Sequence, residues 1–302
     1  MTGPRPRRKL EDIGKRGLLP VIGVYDVFSA TIAAKYFDGI FISGFSFAAS
    51  HYGLPDIGFI AWRDIVDLVH RIRTVLPEPY LLVDIDDGYA DVEVVCHVVS
   101  LLESVGASGV VLEDQKRPRR CGHLDGKQIL DLDEYLVKLG KALDTRRSLD
   151  VVARTDAMEV DEIMKRANAF AGAGADAVLI DGIKELSFLK ELKKKIGKPL
   201  AFNQIAGGKS PSYSFDELED AGISLIIYST PCLFAAQSAI DTAVLSIKED
   251  NGHLPARGKG PVTISKCNEI LEANLIRRDR RGERSENAIR SGVNHDLGGN
   301  KT

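Results

Sequence analysis

The stretch Ser108-Gly-Val-Val-Leu-Glu-Asp-Gln115 places acidic residues at the point where an apolar, β-branched run ends. Such a run predicts a buried strand. A second run, Tyr80-Leu-Leu-Val-Asp84, ends in the same way, and Asp86 and Asp87 follow it closely. Polar residues at the carboxyl ends of buried parallel strands are typical of enzymes that keep their active site at that edge of the sheet. The two segments therefore predict an α/β enzyme with a cluster of acids at one face.

Runs of the same kind recur along the chain and alternate with amphipathic stretches. Eight strands alternating with helices favour a closed (β/α)8 TIM barrel, with a doubly wound open sheet as the alternative. The open sheet would carry a Gly-x-Gly-x-x-Gly turn after its first strand, and Gly23-Val-Tyr-Asp26 is not such a turn. The predicted strands are Pro20–Val24, Gly39–Ser43, Tyr80–Asp84, Gly109–Glu113, Val151–Arg154, Ala177–Asp181, Leu200–Asn203 and Leu225–Tyr228, and the predicted helices include Arg63–Val75, Val92–Val105, Ile129–Leu143, Val160–Ala173 and Ile183–Ile196.

The chain divides into two parts of different composition. Residues 1–250 are expected to form the barrel, and residues 251–302 a C-terminal helical segment followed by a tail. From Asn274 onward the sequence has few apolar anchors. Disorder is therefore expected there in preference to an arm that wraps a neighbouring subunit.

Composition narrows the class of partner. A chain of 302 residues with 44% apolar and 27% charged residues can bury a sizeable core. Its net charge of −3 provides no field for nucleic acid or an acidic membrane, and no apolar run approaches the roughly 20 residues of a membrane span. The N-terminus lacks the apolar segment of a secretory signal, and the four scattered cysteines favour reduced thiols. We expect a cytoplasmic enzyme that acts on a small molecule.

The acids that follow two neighbouring strands suggest a metal site. Asp84 and Asp86 lie on the same side of an extended segment, and Glu113 arrives from the adjacent strand. Mg²⁺ keeps several waters and needs only one or two protein carboxylates. We interpret Asp86 as the direct ligand, with Asp84 and Glu113 acting through waters and Mn²⁺ as an alternative ion. Solvated acids in a turn are the structural alternative, and Asp87 is expected to face away.

The loop Arg119-Arg-Cys-Gly-His123 carries groups that suit an anionic substrate. Arg119 and Arg120 can bind a carboxylate or a phosphate with two hydrogen bonds each. Cys121 beside two arginines should have a lowered pKa, which suits it to proton transfer or nucleophilic attack. An incidental loop cysteine is the alternative.

Three further features suggest substrate contacts. Ser43-Gly-Phe45 offers backbone N–H groups around a glycine, which could cradle a carboxylate. Arg154 is the last residue of a predicted strand, where its fixed positive charge would face the metal. Asp56 either brings a carboxylate over the barrel mouth or caps a helix.

Together these residues resemble the isocitrate lyase/phosphoenolpyruvate mutase superfamily, in the branch of methylisocitrate lyase, dimethylmalate lyase and carboxyphosphonoenolpyruvate mutase. The resemblance extends from about residue 10 to about residue 250 and keeps the family's order. The matching segments are Tyr25-Asp-Val-Phe-Ser-Ala30, Ser43-Gly44, Gly53-Leu-Pro-Asp-Ile-Gly58, Asp84-x-Asp86-x-Gly-Tyr89, Glu113-Asp-Gln115, Arg120-Cys-Gly-His-Leu-x-Gly-Lys127, Ala153-Arg-Thr-Asp-Ala157, Asn203 and Gly207-Gly208.

The resemblance implies an activity and a set of roles. It implies a Mg²⁺-dependent lyase that cleaves a C–C bond of a small 2-hydroxydicarboxylate, giving a 2-oxo acid and a carboxylate. It also implies a homo-oligomer, a dimer of dimers, whose last barrel helix is exchanged between paired subunits. By position, Cys121 becomes the general acid and Arg154 the partner of the developing enolate, with Asp56 and His123 as further catalytic candidates. The substrate-binding candidates are Tyr25, Ser43, Gly44, Phe45, Arg120, Gly122, Asp181 and Asn203.

The chain departs from the family pattern in its substrate pocket. Arg119 replaces a lysine of the loop and cannot release a proton. Asp181 and Ala206 stand where the family has glutamates. Two alternatives therefore remain open: a phosphonomutase acting on a phosphoenolpyruvate-like substrate, and a non-catalytic barrel that binds a metal and a carboxylate.

Overall fold

Eight parallel strands close into a barrel in which neighbours pair in chain order and the eighth strand pairs with the first. The computed structural model describes residues 10, 17–122, 126–254 and 262–293, with side chains as far as residue 279. The (β/α)8 barrel is confirmed, and the alternative of an open sheet is wrong. The strands are β1 (Leu19–Val24), β2 (Gly39–Ile42), β3 (Tyr80–Asp84), β4 (Gly109–Glu113), β5 (Asp150–Thr155), β6 (Ala177–Ile180), β7 (Leu200–Asn203) and β8 (Ile223–Tyr228).

Helices connect the strands and surround the barrel. Two of them have the predicted bounds, and a π-helical stretch, Ala48–Tyr52, follows the second helix. The described helices are α1 (Val27–Ala33), α2 (Gly44–Phe47), α3 (Trp62–Val75), α4 (Val92–Val105), α5 (Leu132–Thr145), α6 (Val160–Ala173), α7 (Leu186–Ile196), α8 (Phe215–Asp220), α9 (Pro231–Glu249) and α10 (Ile264–Val293).

The strands bury both of their faces, which explains their continuous apolar runs. Leu82, Val111 and Val152 belong to one buried cluster, which fills the barrel interior. The neighbouring residues Val83 and Leu112 belong to a second cluster, which lies between the strands and the helices. Successive residues thus face alternately inward and outward, as the pleat of a strand requires.

The N-terminal end of the barrel is closed by a contact from outside the sheet. Leu10 is buried and packs with the interior cluster. Its backbone N–H donates to Asp150 Oδ2 at 2.8 Å, and the Tyr80 hydroxyl donates to the same oxygen at 3.0 Å. This end is therefore filled, and the opposite, carboxyl end is left for a site.

Some element boundaries differ from the prediction for local reasons. Strand β2 stops at Ile42 because the Ser43 hydroxyl accepts a hydrogen bond from the backbone N–H of Ser46 and caps α2. Helix α5 begins at Leu132, since Ile129 instead forms an antiparallel bridge with Gln115. That bridge returns the chain to the barrel mouth after the cysteine loop.

The C-terminal segment is helical beyond the point where disorder is expected. Helix α10 runs through Asn274 to Val293. Asn274 is buried, and its Nδ2 donates to the Thr31 hydroxyl of α1 at 2.9 Å, a polar contact that local composition does not reveal. Residues 294–302 lie outside the described residues, and the division at residue 250 stays a prediction. Among the described helices none is long and apolar enough to span a bilayer.

Candidate active site

The alternation along the strands directs polar side chains into the barrel mouth. Asp84 lies two residues after the interior residue Leu82, and Glu113 lies two residues after Val111. A spacing of two keeps a side chain on the same face of a strand. The same relation holds for Arg154, Asp181 and Asn203, which follow Val152, Leu179 and Ala201.

Acidic side chains form a buried centre at this mouth. Glu113 has 0% and Asp86 has 1% of its surface exposed. Asp84 Oδ1 accepts a hydrogen bond from the backbone N–H of Asp86 at 3.1 Å, which ties the two acids together. Burial raises the pKa of Asp84 and Asp86, and it raises the pKa of Glu113 to about 7. Buried carboxylates are costly to keep charged, so the centre favours a cation.

The oxygen atoms of this centre suit a hard divalent cation. Within the described residues, both carboxylate oxygens of Asp86 and Oε2 of Glu113 are buried and accept no hydrogen bond. Asp86 Oδ1 and Glu113 Oε2 face an arginine at ion-pair distances of 3.2 and 3.3 Å. A Cβ built on Gly44 would lie 3.3 Å from Asp84 Oδ2 and 3.4 Å from Asp86 Oδ1, so a larger residue would crowd these oxygens. No group of three or more acidic, histidine or cysteine side chains in the described segments is close enough to form a complete metal cage. The residues fit Mg²⁺ or Mn²⁺ held by one or two carboxylates and water.

Arg119 forms ion pairs with acids of the protein itself, whereas the sequence predicts that it binds an anionic substrate. Its guanidinium is buried, and Nη1 lies 2.5 Å from Asp56 Oδ1 and 3.2 Å from Asp86 Oδ1. Its Nε donates to Glu113 Oε1 at 2.8 Å. The planar guanidinium of arginine can pair with three carboxylates at once, and the compact ammonium of a lysine would do so less well.

Asp56 is buried at the barrel mouth and does not cap a helix. The nearest following helix, α3, begins at Trp62 and is preceded by Ala61. The Asp56 carboxylate is drawn instead to Arg119, a residue 63 positions further along the chain. The interpretation of Asp56 as a helix cap is therefore wrong, and its role in catalysis stays a prediction.

Arg154 is held by carboxylates on several sides. Nη2 lies 2.8 Å from Asp181 Oδ2, and Nη1 lies 3.3 Å from Glu113 Oε2. Nε donates to Asp156 Oδ2 at 3.0 Å. Asp181 is oriented in turn by Asn203, whose Nδ2 donates to Asp181 Oδ1 at 2.9 Å. The positive charge expected at this strand end is therefore fixed in direction.

The cysteine loop approaches Arg154 closely. A Cβ built on Gly122 would overlap Asp181 Oδ2 and Arg154 Nη2, so this approach requires glycine. Cys121 is half-buried beside it, and the Arg120 side chain is exposed. His123 lies outside the described residues.

The loops after β1 and β2 carry the remaining predicted substrate contacts. Gly44 is the member of this group that lies against the acids. Ser43 is buried, whereas Tyr25 is partly buried and its pKa is raised by burial. Phe45 is partly buried, and its ring meets Phe234 edge-on at a centroid distance of 6.3 Å.

Three further residues of the matching motifs, which have no predicted role, belong to the site. Gln115, Lys127 and Asp156 are all joined by hydrogen bonds at the base of the cysteine loop. The Asp156 side chain is 0% exposed and the Lys127 side chain 7% exposed, which is unusual for charged groups. Gln115 lies two residues after Glu113, and Asp156 lies two residues after Arg154. This spacing of two along each strand direction could have identified both residues from the sequence.

Comparison with known proteins agrees with this architecture. Residues 9–248 match the family model described as phosphoenolpyruvate phosphomutase. The chain is 34% identical to 2-methylisocitrate lyase of Bacillus subtilis over 77% of this chain and 78% of that one. It is 30% identical to 2,3-dimethylmalate lyase of Eubacterium barkeri, covering 84% of this chain and 90% of the relative. Among solved structures, oxaloacetate acetylhydrolase bound to 3,3-difluorooxalacetate superimposes with a TM-score of 0.82 at 27% identity, covering 92% of this chain and 96% of that chain.

Fold and site together define a (β/α)8 barrel with a polar, acid-rich mouth. The chain belongs to the phosphoenolpyruvate phosphomutase family. The resemblance to the isocitrate lyase/phosphoenolpyruvate mutase superfamily is thereby confirmed.

Proposed function

We propose that this protein is a Mg²⁺-dependent C–C lyase acting on a small 2-hydroxydicarboxylate similar to 2-methylisocitrate or 2,3-dimethylmalate. The observation that carries the proposal is the set of buried oxygens on Asp86 and Glu113 without a hydrogen-bond partner among the described residues, next to Arg154. The family relation to 2-methylisocitrate lyase and 2,3-dimethylmalate lyase supports the substrate class.

The cleavage can be written with the residues of this chain. The 2-hydroxyl loses its proton to water, the adjacent C–C bond breaks, and its electron pair passes to the departing carboxylate fragment. That fragment takes a proton from Cys121, a step typically worth about 10²–10⁴-fold in rate. The Cys121 thiolate then recovers a proton from water, which restores the thiol. Arg154 faces the developing negative charge, and its orientation by Asp156 and Asp181 means that it need not reorganise during the reaction.

The acidic centre would hold the metal, with Asp86 as the direct ligand and Asp84 and Glu113 acting through waters. Bound there, a divalent cation supplies Lewis-acid stabilisation of charge on the substrate oxygen, an effect worth several kcal/mol. Backbone N–H groups around Gly44 would orient the substrate carboxylate. Tyr25, Phe45 and Arg120 stay proposed as substrate-binding residues.

Incubation with a panel of acids tests the proposal. The purified protein would be mixed with Mg²⁺ and 2-methylisocitrate, isocitrate, 2,3-dimethylmalate or oxaloacetate, with an EDTA control for each. We expect metal-dependent release of a 2-oxo acid from at least one 2-hydroxy acid. A parallel assay offers a phosphoenolpyruvate-like substrate, and turnover of that compound alone would establish a phosphonomutase instead. Metal-dependent binding of a 2-oxo acid without turnover would indicate a non-catalytic barrel.

We further propose that the protein is a homo-oligomer, a dimer of dimers, in which α9, the last barrel helix, contacts a second copy. None of the residues of α9 is buried within the chain. Its apolar residues Ile240 and Val244, one helical turn apart, are each 62% exposed. An exposed apolar helix face of this kind is typical of an interface.

A further inference from the structure

The backbone of Arg120, the residue before Cys121, is held by the side-chain amide of Gln115, which pairs with it as a neighbouring strand would. Gln115 is 1% exposed, and its Nε2 donates to the Arg120 carbonyl at 2.8 Å. Its Oε1 accepts from the Arg120 N–H at 2.9 Å. A single amide therefore satisfies both backbone groups of Arg120. This double contact fixes the loop immediately ahead of the thiol.

The residue after Cys121 is fixed from the other side of the loop. The Lys127 ammonium donates to the Gly122 carbonyl at 2.6 Å. It also donates to Asp156 Oδ1 at 2.6 Å. A charged donor with two buried acceptors makes hydrogen bonds roughly twice as strong as neutral ones.

Both contacts converge on one carboxylate. Gln115 Nε2 lies 3.2 Å from Asp156 Oδ2, and that oxygen also accepts from Arg154 Nε at 3.0 Å. The backbone N–H of Asp156 donates to Asp114 Oδ1 at 3.0 Å, which holds the backbone of Asp156 in place. Arg154, which faces the acidic centre, and the loop of Cys121 are therefore attached to the same buried group.

We propose that Gln115, Lys127 and Asp156 form a clamp that sets the position of Cys121 relative to Arg154. The three are positioning residues, since each acts through the loop or through Arg154. The clamp deepens the proposed function and rests on it for the role of Cys121 as proton donor. Its structural part, the restraint on the loop at both sides of the thiol, is independent of that role.

Substitution of Lys127 tests the clamp without requiring activity. Lys127→Met should release the Gly122 carbonyl and raise the rate of Cys121 alkylation by iodoacetamide about tenfold, the factor that about 1.4 kcal/mol produces. Peptide mass spectrometry gives the rate at each cysteine, and Cys96, Cys232 and Cys267 serve as internal references. Lys116→Met is the matched control, because Lys116 is an exposed lysine near the start of the same loop. Lys127→Arg should restore protection in large part.

The kinetic readout separates positioning from general stability. With an accepted substrate, Lys127→Met should lower kcat about tenfold or more while KM changes much less. Unchanged thermal midpoints for Lys127→Met and Lys116→Met would show that the fold is intact. If Lys127→Met does not fold, Gln115→Met tests the same clamp through its other contact.

The two proposals can fail separately. Faster alkylation of Cys121 in a protein that turns over no acid of the panel would support the clamp and contradict the lyase. Equal alkylation rates in the wild type, Lys127→Met and Gln115→Met would overturn the clamp, whatever the activity.

Discussion

Arg119 supplies a buried positive charge to the acids of this barrel mouth. Burial alone would lower the pKa of a guanidinium, but the carboxylates of Asp86, Glu113 and Asp56 raise the pKa of Arg119. The side chain therefore keeps its charge and neutralises part of an acidic cluster that the solvent cannot reach. Arginine does not release its proton, so Arg119 serves as a permanent charge.

The metal assignment depends most on Asp86. Asp86→Asn should abolish metal-dependent activity and weaken Mn²⁺ binding by more than about 100-fold, because even the loss of an outer partner of a ligand costs about 10–100-fold. Electron paramagnetic resonance of free Mn²⁺ measures the affinity without any substrate. Asp144→Asn, on an exposed surface, is the control and should bind Mn²⁺ as the wild type does. Wild-type affinity in Asp86→Asn would remove Asp86 from the metal site.

The role of Cys121 predicts a separation of turnover from binding. Cys121→Ser should lower kcat at least about tenfold with little change in KM, since a serine hydroxyl is a much weaker acid than a thiol. Cys96→Ser is the control, because the Cys96 thiol contacts the Lys141 carbonyl at 3.7 Å, away from the barrel mouth. Steady-state kinetics of both variants decide the matter. Full activity in Cys121→Ser would make Cys121 an ordinary loop residue.

Among the elements, the loop after β3 is held in place by several contacts beside the acidic centre. Asp86 and Tyr89 have left-handed φ angles of 52° and 72°. Such angles cost about 1–3 kcal/mol each and persist only where the surrounding structure imposes them.

Side chains from outside the loop provide that restraint. The buried Lys138 ammonium donates to the carbonyls of Asp87 at 2.8 Å and Ala90 at 3.1 Å. Arg117 donates to both carboxylate oxygens of Asp87, at 2.8 and 2.7 Å. Asp87, expected to face away, anchors the loop from outside the centre.

This anchoring can be measured through the metal. Lys138→Met should release the two carbonyls and weaken Mn²⁺ binding about tenfold, the lower end of the effect for an outer partner of a ligand. Lys141→Met, on the exposed side of the same helix α5, is the matched control. Isothermal titration with Mn²⁺ gives both affinities. Equal affinities for the two variants would show that the loop keeps its shape without Lys138.

Glu103 links α4 to the turn before β5 and makes stability depend on pH. Burial alone would raise its pKa, but the backbone N–H groups of Arg147, Ser148 and Leu149 and the Ser148 hydroxyl lower it. A group whose pKa is lowered on folding stabilises the protein above its unfolded pKa, and this stability is lost as the pH falls through the folded pKa.

We therefore expect Glu103→Gln to lower the free energy of unfolding by about 1 kcal/mol at neutral pH, a value kept low because the side chain is partly exposed. In acid, where Glu103 is protonated in both states, the wild type and the variant should converge. Urea unfolding of both proteins at the two pH values measures this. An equal difference at both would contradict the link to protonation.

For the whole molecule, the proposed assembly can be tested at the exposed apolar face of α9. The double variant Ile240→Glu/Val244→Glu should place charges in a contact that excludes water and shift the protein toward a single chain of 32.9 kDa. Light scattering coupled to size-exclusion chromatography measures the mass. Val137→Glu is the control, because Val137 of α5 is similarly exposed, at 58%. A single-chain mass for the wild type would contradict the oligomer.

Much of this architecture could be predicted because it follows from local patterns. Strands β3, β4 and β7 have the predicted bounds, since their apolar runs end at polar residues. The period of two along a strand already directs Asp84 and Glu113 to the barrel axis. The C-terminal tail does not follow its local pattern, because its helix is anchored by a contact between Asn274 and a residue of α1.

The contacts that shape the candidate site depend on tertiary structure. Asp56 meets Arg119 across 63 positions, and Gln115 meets Asp156 across 41. No local pattern predicts such pairs, because they depend on which strand ends become neighbours when the barrel closes. The sequence alone therefore determined the strands, their inward polar ends and the family, since each follows from short-range pattern. The partners of Arg119 and the clamp around Cys121 were decided only by the closed barrel, which buries charged groups together and leaves each one to find its counter-charge among them.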